Sequence, residues 1–180
     1  MTDYEFTLKF SLPDAEDDPE RHIEALAAAG CDDALIGIGQ RGRIALDFTR
    51  SAKSALAAIT SALRDVRKAM PQATLVEASP DFVGLTDVAG FAGFTRQNMR
   101  KLMLGNGPTF PAALHDGNPS LWHLADILAW LDDRQARPID GALLEVAQAA
   151  MLLNIAKETR RLPGATLPRN LERLDRKSVV

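Results

Sequence analysis

Gly84-Leu85-Thr86-Asp87-Val88-Ala89-Gly90-Phe91-Ala92-Gly93-Phe94-Thr95-Arg96-Gln97-Asn98-Met99-Arg100-Lys101-Leu102-Met103-Leu104 decides the reading of this 180-residue chain. A threonine oxygen can accept one of the orphan amide hydrogens at a helix start, so Thr86 is expected as the N-cap of a short helix that Gly93 ends. Phe94 fills the small core of the turn, and Thr95 is expected as a second N-cap, opening a helix through about Leu104. Two short helices joined by a tight glycine-containing turn fit the helix-turn-helix pattern. In the second helix Met99, Leu102 and Met103 face inward, while Arg96, Gln97, Arg100 and Lys101 face outward.

Those outward side chains suit the major groove, where Gln or Asn can form paired hydrogen bonds to adenine and Arg can do so to guanine. Arg96, Gln97 and Asn98 are therefore the candidate base readers, with Arg100 and Lys101 on phosphates or base edges. Downstream, Phe110-Pro111-Ala112-Ala113-Leu114 and Ser120-Leu121-Trp122 flank the turn His115-Asp116-Gly117-Asn118-Pro119, which reads as a hairpin wing. A closing helix from His123 to Asp133 places Ile127, Leu128, Trp130 and Leu131 to clamp the unit.

Upstream, Tyr4, Phe6, Leu8, Phe10 and Leu12 alternate with polar residues, the period of a half-buried strand. Pro19 starts a helix of about ten residues that places Ile23, Leu26 and Ala27 at helical spacing and ends at Gly30. Two apolar runs, Ala34 to Ile38 and Ile44 to Phe48, are joined by Gly39-Gln40-Arg41-Gly42 as a hairpin. A long helix after Ser51 buries Leu56, Ile59, Leu63, Val66 and Met70 before Pro71, and Thr74 to Val76 is a last short strand. The order βαββαβ over residues 1–79 is that of ferredoxin-like domains. Ala78-Ser79-Pro80-Asp81 reads as a linker to the unit 82–134. Beyond the break at Arg137-Pro138, Asp140 to Leu162 reads as one helix, residues 138–162, apolar on two sides. Such a helix is expected to bury one side in its own domain and the other against a second subunit. The charged stretch 163–180 is expected to be a flexible tail.

Composition bounds the alternatives. The chain is 46% hydrophobic and 25% charged, ordinary for a globular protein, with a net charge of −3. Residues 1–80 hold 9 basic and 13 acidic side chains, whereas 135–180 hold 8 and 5, and Gly93 to Thr109 has three basic residues and no acid. That local basic patch, rather than the total, is expected to face a partner. No apolar run approaches the roughly 18 to 20 residues of a membrane span, and Met1-Thr2-Asp3-Tyr4 is unlike a signal peptide, so a cytoplasmic setting is expected.

Leu85 to Leu131 resembles the winged-helix DNA-binding domains of the MerR and excisionase (AlpA-like) superfamily. The resemblance rests on Leu85-Thr86-Asp87-Val88-Ala89, Gly93-Phe94-Thr95-Arg96-Gln97-Asn98, Phe110-Pro111, Trp122 and Asp126-Ile127-Leu128-Ala129-Trp130-Leu131. It covers a little over a quarter of the chain. It implies sequence-specific binding of double-stranded DNA as a dimer, with Arg96, Gln97, Asn98 and Arg100 on the recognition helix, and Thr86 and Thr95 at helix starts that can meet phosphates.

Other motifs carry less. Gly37-Ile38-Gly39-Gln40-Arg41-Gly42 matches G-x-G-x-x-G, but a strand follows where a dinucleotide site needs a helix. His22, His115 and His123 are scattered and read as surface or supporting residues, and Cys31 as structural. No metal, cofactor or catalytic residue is expected. The expectation is an α+β, non-enzymatic, DNA-binding homodimer. The alternative is an antitoxin-like adaptor whose N-terminal domain binds a protein partner; a small ligand there is a further possibility.

Overall fold

The computed structural model describes residues 1–134 and 138–162; Arg137 and the tail expected over 163–180 lie outside the described residues. The described residues form a mixed α+β fold with a four-stranded antiparallel sheet, a two-stranded ladder and six α-helices. None of these helices is long and apolar enough to cross a membrane.

The alternation at the start of the chain becomes β1 (Thr2–Ser11), which turns Tyr4, Phe6, Leu8 and Phe10 inward, all buried. β1 pairs antiparallel with β3 (Arg43–Ala52) along its whole length, from Thr2 opposite Ala52 to Ser11 opposite Arg43. β2 (Ala34–Gly37) lies beyond β3, and β4 (Thr74–Ser79) lies on the other side of β1, so the order is β2-β3-β1-β4. β4 ends at Ser79, opposite Thr7, so among the described residues Thr2–Phe6 of β1 have β3 as their only strand neighbour. The glycine-rich segment between β2 and β3 is a hairpin connection, as its sequence suggests. Gly42 sits at φ 68°, and a Cβ there would come within 2.7 Å of the Ala15 backbone.

Three helices cover one face of the sheet. A single 3-10 turn (Pro19–His22), capped by the Asp18 carboxylate, leads into α1 (Ile23–Ala29), which ends at Gly30 with φ 105°. Leu26 alone of α1 is buried; Ile23 and Ala27, expected inside, are exposed, because seven residues present only one side chain squarely to the sheet. α2 (Ala55–Ala69) begins at Ser54, whose side chain accepts from the Ala57 amide at 3.2 Å. This start turns Ala55, Ala58, Ile59, Ala62 and Val66 inward and leaves Leu56, expected in the core, 49% exposed. The inward stripe is mostly alanine because α6 (Gly141–Arg160) packs alongside, and its Ala149 and Ala150 enter the same core.

A second core gathers around β5 (Phe82–Val83), α3 (Leu85–Phe91), α4 (Arg96–Gly105), β6 (Trp122–His123) and α5 (Leu124–Asp133). Val88, Met99, Leu124, Ile127, Leu128 and Leu131 are fully buried in it. α6 serves this core too: Ala147 is buried there and Leu143, Leu144 and Met151 pack against it, while Val146 faces the sheet. Both cores of the chain thus draw on α6, while Leu152 and Ile155 of the same helix are 56% and 46% exposed. The linker expected at Ala78–Asp81 is corrected by the end of β4. Ala78 and Ser79 complete β4, and Asp81 is 1% exposed at the junction of the two cores.

Candidate nucleic-acid interface

The helix pair forms where the sequence places it, with one change of cap. α3 starts at Gly84, whose amide donates to the Asp87 carboxylate at 3.0 Å, so Thr86 is an exposed residue of the first turn and not the N-cap. A carboxylate three residues in can hold the start of a helix alone, without a hydroxyl cap. α3 ends at Phe91 with Ala92 as its C-cap, and Gly93 takes φ 66°, the left-handed conformation that permits the tight turn. The Phe94 amide donates back to the Ala89 carbonyl at 2.8 Å. Thr95 then caps α4, its oxygen accepting from the Asn98 amide at 3.2 Å.

Successive helical residues turn by about 100°, which separates two faces of α4. Met99 is fully buried, with Leu102 and Met103 beside it half-buried. Arg96, Gln97, Asn98, Arg100 and Lys101 are all exposed. Among the described residues, no side-chain hydrogen bond or ion pair occupies Arg96, Arg100 or Lys101. The five candidate side chains therefore share one rigid helix seated by Met99, and Thr95 joins them at its start. Thr86 lies on the preceding helix. Leu104, 67% exposed, shares the outer face with Gln97 and Lys101.

The segment after α4 is held by contacts that the sequence reading missed. The Arg134 guanidinium lies 4.5 Å from the centre of the Trp130 ring, donates to Asn106 Oδ1 at 3.1 Å and to Thr109 Oγ1 at 2.5 Å. Phe110 packs edge-on between Trp122 and Trp130, at 6.2 and 5.1 Å. The hairpin expected over Phe110–Trp122 shrinks to a single bridge between His115 and Leu121. Pro111 and Pro119 remove ladder donors from its two arms, and Trp122 pairs instead with Val83 in the ladder of β5 and β6.

Below this unit lies a buried polar junction. Asp81 accepts from His123 Nδ1 at 2.7 Å with one oxygen and from Asn154 Nδ2 at 2.7 Å with the other, and its carbonyl accepts from the Leu124 amide at 2.8 Å. His123, read as a surface or supporting residue, is 9% exposed and supports the Asp81 carboxylate. The available signal was Asn154, a polar residue between Leu153 and Ile155 where a helix interior has little reason to hold one. Compared with known proteins, the chain matches no family model, no curated protein and no solved structure.

Proposed function

We propose that residues 82–134 are a winged helix-turn-helix that binds double-stranded DNA sequence-specifically, with α4 in the major groove. The observation that carries this reading is the exposed, unpaired set Arg96, Gln97, Asn98, Arg100 and Lys101 on one capped helix with its opposite face in the core. Gln97 and Asn98 are the adenine-reading types, Arg96 and Arg100 the guanine-reading types, and Lys101 a phosphate contact. Thr95, at the helix start, meets a phosphate, and the exposed Thr86 is a second such contact. The short bridge at His115 and Leu121 is the wing in this reading, and the element and strand order of residues 1–79 support a ferredoxin-like domain beside it. The proposal places the protein in the cytoplasm as a homodimer whose two recognition helices enter grooves about 34 to 36 Å apart. Its effect is binding rather than catalysis.

The test is selection of duplexes from a random pool, followed by fluorescence anisotropy across a salt series. An enriched site should bind with a log–log salt slope of about −0.9 per phosphate contact. Gln97→Ala or Arg100→Ala should each cost roughly 1 to 3 kcal/mol at that site. Absence of enrichment, or binding indifferent to both substitutions, would overturn the reading.

A further inference from the structure

A cleft of about 740 Å³ lies beside the part of β1 that β4 leaves uncovered. It is lined on the open face of the sheet by Asp3, Glu5 and Asp47, and on the helical face by Leu143 and Val146. Pro80, at the point where the chain leaves β4, and Phe91, 45% exposed at the end of α3, also line it. We propose that this cleft takes an extended, basic peptide segment of a partner protein, added along the edge of β1 beyond the end of β4. This goes beyond the DNA-binding reading and does not rest on it.

Three observations select this occupant. Thr2–Phe6 pair with β3 alone, and five extended residues span about 17 Å at the strand rise of roughly 3.3 Å per residue, enough for a short strand to dock by main-chain hydrogen bonds. The lining has residues from both faces of the edge, as a space wrapped around a missing strand would. Its charge is one-sided: among the described residues the ionisable lining side chains are Asp3, Glu5, Asp47 and Asp140, with no lysine, arginine or histidine. Asp47 is held by the Thr7 hydroxyl at 2.5 Å and Asp3 by the Ser51 hydroxyl, so two of these carboxylates are fixed in place. Side chains of an added strand alternate between faces. Lysine or arginine would project over the open face toward Glu5 and Asp47, and small apolar side chains toward Leu143 and Val146.

The test uses the full chain and a labelled peptide that alternates lysine and valine, with two comparison peptides: one with glutamate for lysine, and one N-methylated at alternate backbone amides. The lysine peptide should bind and slow amide hydrogen exchange over Thr2–Phe6, whereas the glutamate peptide should not bind. Backbone methylation, Glu5→Lys and Asp47→Lys should each weaken binding at least tenfold. Glu5 and Asp47 lie on the open sheet face, so circular dichroism of the two variants should show an unchanged fold. Absence of binding, protection confined to other segments, equal binding of the methylated peptide, or equally tight binding of spermine would each overturn the proposal.

Discussion

Asn154 treats Ala78 as a neighbouring strand would: its Oδ1 accepts from the Ala78 amide at 2.9 Å and its Nδ2 donates to the Ala78 carbonyl at 2.8 Å. The same Nδ2 reaches Asp81, so one helix side chain completes the inner end of β4 and fixes the carboxylate beside it. Leucine at this position would fill a similar volume and leave three buried polar groups without their partner. Each such loss costs about 1 to 3 kcal/mol, so Asn154→Leu should destabilise the protein by about 3 kcal/mol. A urea titration measures it, and a loss under about 1 kcal/mol would show that water replaces the amide.

Arg50 is the polar counterpart of this junction on the same helix-covered face, toward the opposite edge of the sheet. Its guanidinium forks onto Asp33 at 2.6 and 2.8 Å, reaches Asp65 at 2.9 Å, Ser61 at 3.1 Å and the Gly30 carbonyl at 2.7 Å, and lies over the Phe48 ring. Burial alone would raise the Asp65 carboxyl, but the bonds from Lys68 and Arg50 outweigh it and hold it below the usual range. Removing one partner of a buried ion pair costs about 3 to 5 kcal/mol. The carboxylates here retain some water contact, so Arg50→Met should fall near about 3 kcal/mol by chemical denaturation. Arg50→Lys should recover only part of it, because an ammonium cannot fork. The contribution of the depressed Asp65 carboxyl is present above the ordinary aspartate pKa of about 3.9. It is lost as the pH falls through the lower folded value.

Cys31 is 2% exposed behind this network, and burial pushes its thiol up to about 11. At pH 8 only about one thiol in a thousand is then ionised, and the thiolate is the reactive species. An aromatic disulfide reagent should label the native protein at least a hundredfold more slowly than the urea-unfolded chain. Equal rates would mean that the segment between α1 and β2 opens freely.

Tyr4 is the single tyrosine of the chain, so phenolate absorbance reports one group. Its hydroxyl donates to Glu145 Oε2 at 2.8 Å, and this bond, with burial and the adjacent charge, raises the phenol above its ordinary value of 10.0. The raised value means that the bond's contribution is complete below about pH 10 and is lost as the pH rises through the folded pKa. An alkaline titration should show a midpoint above that of the unfolded chain, and Glu145→Gln should move it down. A midpoint unaffected by that substitution would remove Glu145 as the cause.

The parts legible in sequence were those with a single strong period or cap: the alternation from Tyr4 to Phe10 in β1, the hairpin around Gly42, and α4 behind Thr95. Misreadings came where small or polar residues decide packing. In α2 the leucines drew the core toward Leu56, but close approach to α6 selects alanines, and alanine carries almost no signal of its side. The stretch Ser79-Pro80-Asp81 has loop composition, yet Asp81 is buried by His123 and Asn154, partners 42 and 73 residues away. No local pattern reports pairs at that separation. The candidate interface was readable as a set of side chains on α4, whereas the Arg134 support behind it depended on a fold not yet known.

The placement of α6 sets the order in which the chain can finish folding. Residues from Gly141 to Arg160 fill gaps in both cores, so neither core is complete until that helix has left the ribosome. The earlier segments wait with apolar seams open for α6 to seal. A chain halted near residue 134 should therefore be a client for chaperones, not a working fragment.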